Sequence, residues 1–258
     1  MNFSKAVLFC SIWIVAALLF NAGIYIIQGQ QKSLEFLTSY IIELSLSVDN
    51  LFVFYLIFSQ LKISNDHQSK ILTWGVLGAQ LMRGILILGG IALLQHLSWI
   101  IYAFGFLLIF SGVKIFTKTN KTINPDRNIA LPFFHRFIPV NFSSFLTALI
   151  LVEIADLIFS MDSIPAVLAV SKDPFIVYTS NIFAILGLRA MYFIIGPIIN
   201  KFHYLHYGLG IILVFVGIKM ITENFLHIPV CYTLGFIALT LGISILASLS
   251  KSSSNPHE

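Results

Sequence analysis

The chain is 258 residues long, with 58% hydrophobic residues, only 10% charged ones and a net charge of +4, and its mean hydropathy is +0.92. A water-soluble domain of this size cannot hide so much apolar side chain, so the composition excludes that class and points to a single polytopic membrane bundle. Most of the basic residues fall between apolar runs, where they act as topology signals; nucleic-acid binding is not expected of them.

Apolar runs close to the ~20 residues needed to cross a bilayer lie at 6–27, 35–60, 71–94, 98–116, 142–170, 176–199, 205–222 and 228–249. They predict an all-α bundle of about eight transmembrane helices. The first run follows Lys5 and has no small-residue cleavage site behind it, so it is expected to stay as an N-terminal anchor. The second and fifth runs are long and carry acids, which predicts tilt or a local break; Pro165 favours a break in the fifth. The connection at 117–140 holds Pro125, Pro132 and Pro139 and the stretch Phe133-Phe134-His135-Arg136-Phe137, and is expected to be a basic interfacial linker. Lys5, Lys62, Lys70, Lys118, Lys121, Arg127, Arg136, Lys201 and Lys251 fall on one side of this topology, against Lys32, Lys172 and Lys219 on the other. The positive-inside rule makes the first side cytoplasmic and puts both termini there. Lys114 and Lys219 are expected to snorkel. Cys10 and Cys231 are expected to be packed free thiols.

Inside these runs the sequence repeats. Glu43-Leu-Ser-Leu-Ser-Val-Asp49-Asn50 matches Asp156-Leu-Ile-Phe-Ser-Met-Asp162-Ser163, with Ser47 and Ser160 in register. Thr73 and Arg83 match Thr179 and Arg189; Tyr102, Gly105, Phe110, Gly112 and Lys114 match Tyr207, Gly210, Phe215, Gly217 and Lys219. Helices two to four (34–116) thus recur as helices five to seven (141–222), leaving 6–27 and 228–249 outside the repeat. Three spans per unit is an odd number, so the second copy enters the membrane from the opposite face. This is the 3+3 inverted-repeat plan of secondary transporters, with a site at the midplane.

Five acids, Glu43, Asp49, Glu153, Asp156 and Asp162, fall inside spans with two arginines, Arg83 and Arg189. An acid at a helix centre costs roughly 2.5–3.5 kcal/mol on insertion scales. The unmatched negative charge must be relieved by protons, by a bound cation, or by both. Residues six apart on a regular helix point about 120° apart. Either the helices therefore unwind near Ser47 and Ser160, or one acid of each pair binds while the other accepts a proton or forms a second site. Asn50 and Ser163 can add neutral oxygens. The seven histidines lie in loops, at helix ends or in the tail, and neither cysteine accompanies the acids. The oxygen-only set suits Mn²⁺, Mg²⁺ or Ca²⁺ better than Zn²⁺ or Cu⁺. Arg83 and Arg189 are expected counter-ions, a role compatible with gating. Glu153 lies on the same face as Asp156 and has no partner in the first copy. Gly105, Gly112, Gly210 and Gly217 are expected at close helix contacts.

These segments resemble the signatures of the TerC family of integral membrane proteins. The first is the Glu43–Asn50 stretch. The second is Glu153-Ile-Ala-Asp156-Leu-Ile-Phe-Ser-Met-Asp162-Ser163-Ile-Pro165-Ala-Val-Leu-Ala, and the third is Asn181-Ile-Phe-Ala-Ile-Leu-Gly-Leu-Arg189-Ala-Met-Tyr. The family takes its name from tellurium resistance. The resemblance implies a manganese exporter related to the lysine-exporter superfamily, with Glu43, Asp49, Asn50, Asp156, Asp162 and Ser163 lining the metal path. It also implies a bacterial inner membrane and, as partners, secretion machinery or the extracytoplasmic manganese enzymes supplied. The expected function is Mn²⁺ export, in exchange for protons. Alternatives are transport of Ca²⁺ or Mg²⁺, or a scaffold of a tellurite or stress-resistance complex that moves nothing. An intramembrane aspartyl protease would also use paired acids, but the Tyr-Asp and Gly-x-Gly-Asp settings of those enzymes are missing, so no enzymatic activity is expected.

Overall fold

The computed structural model describes residues 3–97, 99–117, 143–195, 204–223, 225–226 and 228–254. Among them there is no strand, and eight helices follow one another: α1 (Phe3–Gln28), α2 (Gln30–Gln60), α3 (Asn65–His96), α4 (Ile100–Thr117), α5 (Ser144–Leu168), α6 (Pro174–Ile195), α7 (Leu205–Thr222) and α8 (Val230–Ser254). Six of these, α1, α3, α5, α6, α7 and α8, are long and apolar enough to cross a membrane; Ile100–Phe116 is a shorter apolar helix. The basic linker expected at 117–140 lies almost wholly outside the described residues.

α3 shows why the bundle suits a bilayer. Trp74, Leu77, Leu81, Ile85 and Leu88 are exposed at helical spacing, while Ile71, Gly75, Ala79, Arg83 and Ile87 are buried. The charge faces in and the hydrocarbon faces out, the reverse of a soluble amphipathic helix. α1 likewise leaves Leu8, Leu19, Ile26 and Ile27 exposed and packs inward through Ala17 and Ile24. A single residue joins α1 to α2: Gly29, at φ 88°, a left-handed conformation that glycine adopts without a Cβ clash.

α2 is the central helix, packed on α1, α5, α6 and α8. Its 31 residues and the 32 of α3 give about 45–48 Å of helix, more than the ~30 Å hydrocarbon layer, so they project or tilt. Two apolar clusters occupy opposite ends. One gathers Ile42, Ile87, Ile91, Ile164, Leu168, Leu213 and Met220. The other gathers Leu51, Phe54, Phe58, Leu72, Leu151, Val152 and Tyr192. The charged centre lies between them. α4 and α7 pack against each other more extensively than any other pair. A Cβ added at Gly112 would lie 2.6 Å from the Gly210 carbonyl oxygen, and one at Gly217 2.7 Å from that of Gly105. The small residues thus let the two backbones touch.

Two expectations are corrected, for Pro165 and Lys219, and of the two arrangements left open for the acid pairs the unwound one is not seen. α2 and α5 run unbroken through Ser47 and Ser160, because a freed backbone group at this depth would need another partner. Pro165 sits inside α5, three residues before its last residue, Leu168, where its missing N–H removes one bond near a helix end without ending the helix. Lys219 does not snorkel: it is buried, and its Nζ donates to the Ala169 carbonyl at 3.2 Å, at the C-terminal end of α5, where a cation is favoured. Lys114 is exposed, with its Nζ 5.7 Å from the centre of the Phe110 ring.

Candidate functional site

The centre of the bundle is built on Arg83 of α3. Its side chain is 1% exposed, as is that of Glu43, and that of Asp156 is 5% exposed. Arg83 Nε donates to Asp156 Oδ2 at 3.0 Å and Nη2 to Oδ1 at 2.8 Å, a bidentate fork that fits a planar guanidinium. Its Nη1 pairs with Glu43 Oε1. Asn50 Nδ2 donates to Asp156 Oδ1 at 3.4 Å. Three helices therefore converge: α2 supplies Glu43 and Asn50, α3 supplies Arg83, and α5 supplies Asp156. One guanidinium serves two carboxylates, so the cluster keeps one negative charge when all three are ionised.

The remaining valences are conspicuous. Glu43 Oε2, Asn50 Oδ1, Ser47 Oγ and Ser163 Oγ are buried with no hydrogen-bond partner. A buried polar atom left in that state costs about 1–3 kcal/mol, and all four of these are oxygens able to accept from water or bind a cation. Ser160 is spent differently, donating to the Asp156 backbone carbonyl at 2.8 Å. Glu153 lies on the α3 side of α5, where a Cβ added at Gly75 would meet it at 3.8 Å. Its Oε2 is buried without a partner. A cavity of about 10 Å³ is lined by Glu153, Asp156, Gly75, Ala79 and Phe54, room for about one water.

The acids expected to line one metal path are not all in one place. Glu43, Asn50 and Asp156 are brought together with Arg83. Asp162 is separate: its Oδ1 accepts from Ser111 Oγ of α4 at 2.7 Å. The side chains of Asp49 and Arg189 lie outside the described residues. Among the described residues, no three of histidine, cysteine, aspartate and glutamate converge as a ready metal centre. Ser111 was missed by the sequence reading. The available signal was a hydroxyl between Phe110 and Gly112 where the second copy has Val216.

The comparisons with known proteins agree with this architecture. The model of the integral membrane protein TerC family matches residues 28–255. The "Uncharacterized membrane protein STKORF319" of Myxococcus xanthus is 45% identical over 272 residues, covering 99% of this chain and 85% of that protein. The "Putative membrane-bound redox modulator Alx" of Escherichia coli (strain K12) is 40% identical over 262 residues, covering 92% and 82%. An "Uncharacterized membrane protein" of Rickettsia bellii is 36% identical over 263 residues, covering 95% and 85%. No solved structure matches. The chain belongs to the TerC family of integral membrane proteins.

Proposed function

We propose that this protein carries Mn²⁺ out of the cytoplasm in exchange for protons. The observation that supports this best is the Glu43–Arg83–Asp156 cluster: buried acids from two matching helices, incompletely neutralised, with unpartnered oxygens beside them. Oxygen ligands of this kind favour a hard divalent ion. Arg83 already fills the cation position, so an arriving metal must displace it or be met by a proton change on the acids. That competition is what an exchanger needs, because a site that keeps its charge constant takes up one cation as it releases another. In this reading Glu43, Asn50, Asp156 and Ser163 contact the metal, Asp162 is a separate station on the path, Asp49 stays a candidate from the repeated motif, and Glu153 serves proton movement.

The inverted repeat is part of the same proposal. The α4–α7 contact is reciprocal: Gly112 faces Gly210 and Gly105 faces Gly217, the pattern that a two-fold axis between matching helices produces. With one crossing for each of the eight described helices, both termini share one side, proposed as the cytoplasm of a bacterial inner-membrane protein. Secretion machinery and extracytoplasmic manganese enzymes are the proposed partners.

The redox role in the name of the Escherichia coli relative favours no second reading through paired thiols, since the two cysteines, both free, are Cys10 on α1 and Cys231 on α8. The test is ion flux in proteoliposomes, with Mn²⁺, Mg²⁺ and Ca²⁺ run in parallel and internal pH recorded. Saturable Mn²⁺-preferring flux with opposite proton movement is expected, falling by about two orders of magnitude in Glu43→Gln and Asp156→Asn, a loss of about 2.7 kcal/mol in barrier terms. Preference for Mg²⁺ or Ca²⁺ would reassign the cargo. No flux from folded protein would leave the scaffold.

A further inference from the structure

The end of the bundle that carries the α1–α2 turn opens into a cavity of about 810 Å³. Its wall includes Lys32, Glu35 and Asp173, together with Lys219 and Cys231. Lys32 Nζ holds Glu35 Oε2 at 3.0 Å and Asp173 Oδ2 at 3.1 Å, and Ser171 Oγ donates to Glu35 Oε2 at 2.6 Å. None of this was foreseen from the repeat.

Below Glu35 the same face of α2 continues inward. Ser39 is one turn deeper, Glu43 the next, then Ser47 and Asn50. Steps of four residues advance about 6 Å and drift about 40°, so these side chains form one gently winding line. All four below Glu35 are almost fully buried. Ser39 Oγ, Glu43 Oε2, Ser47 Oγ and Asn50 Oδ1 each lack a hydrogen-bond partner.

The neighbouring hydroxyls of α2 behave differently. Thr38 Oγ1 donates to the Leu34 carbonyl at 2.7 Å and Ser45 Oγ to that of Ile41 at 2.6 Å. This is the usual way for a hydroxyl in a buried helix to satisfy itself. Ser39 and Ser47 could do the same and do not. Among the described side chains of α2, the buried unpartnered oxygens are thus confined to the line joining the cavity to the Arg83 centre. Apolar packing alone would fill that line with aliphatic side chains, as it does one residue before Glu43 at Ile42, which lies in the core.

We infer that the α2 face running Ser39–Glu43–Ser47–Asn50 is a track for a divalent cation and its water between the Glu35-walled cavity and the Arg83 centre. Each hydroxyl or amide oxygen replaces part of the hydration shell as the ion descends. At the mouth the Lys32 ammonium sits between two carboxylates, where a cation would compete with it. The cargo rests on the transport reading above; the existence of the track does not.

The experiment is cysteine accessibility in proteoliposomes. Cys10 and Cys231 are replaced by serine, and Ser39→Cys and Ile42→Cys are compared with the small cationic reagent methanethiosulfonate ethylammonium, with and without Mn²⁺. A hydrated thiol reacts as thiolate and a thiol packed in apolar surroundings is inert. The Ser39→Cys thiol is expected to react about tenfold faster than Ile42→Cys, and Mn²⁺ to slow it. Equal rates at the two positions would overturn the track. Fast reaction that Mn²⁺ does not slow would overturn its use by the cation. Fast, Mn²⁺-protected reaction in a protein that shows no flux would leave the track standing and remove the transport reading.

Discussion

Arg83 decides how the centre behaves. Its three bonding nitrogens reach two acids on different helices, so its removal leaves buried charge without a partner. Breaking a buried pair from one side costs about 3–5 kcal/mol. Arg83→Ala is therefore expected to lower thermal stability in detergent by several degrees, as read by a fluorescence melting curve, unless Glu43→Gln and Asp156→Asn accompany it. Arg83→Lys keeps the charge and loses the fork; it should fold, with a smaller loss of stability than Arg83→Ala. Equal melting temperatures for wild type and Arg83→Ala would mean that the acids are not charged against the arginine.

The α4–α7 contact belongs to the scale of elements. At Gly112 a new Cβ would meet backbone, the Gly210 oxygen at 2.6 Å and the Val214 nitrogen at 3.0 Å, atoms that cannot swing away. Gly112→Ala is expected to destabilise by about 1–3 kcal/mol through overpacking. Gly235 of α8 has nothing within 4 Å of its would-be Cβ, so Gly235→Ala should be neutral or stabilise by up to about 1 kcal/mol through helix propensity. The comparison is made by thermal melting of the two variants side by side. A neutral Gly112→Ala would show that the two helices can separate at little cost. At this scale the sequence was informative: runs and helix bounds agree closely because apolar length near the membrane thickness is a strong signal. The helices' continuity at Ser47, Ser160 and Pro165 was not legible, because a polar or proline residue signals a break only when no neighbouring backbone bond can absorb it.

At the scale of the whole molecule, topology is the open physical consequence. Cys231 is exposed at the start of α8, beside the large cavity, while Cys10 lies seven residues into α1. In the proposed orientation, with both termini in the cytoplasm, the cavity and Cys231 would face outward. A membrane-impermeant maleimide is expected to label Cys231 in intact cells, and Cys231→Ser to abolish that labelling. Labelling of Cys231 only after lysis would invert the molecule and turn the cavity into a cytoplasmic mouth.

Composition alone determined that this chain lives in a membrane, and the doubled acid motif alone marked α2 and α5 as the helices that bring buried acids to the centre. Both follow from cost: hydrocarbon must be covered by lipid, and acids at depth must be compensated, wherever the chain folds. Which acid meets which partner was decided only by tertiary packing. Asp156 and Asp162 are equally buried in the sequence pattern, yet α3 brings Arg83 to the first and α4 brings Ser111 to the second. The same holds for the serines: Ser39, Ser45 and Ser47 are one residue type on one helix. Only the faces that α2 turns to its neighbours separate the satisfied hydroxyl from the two left open.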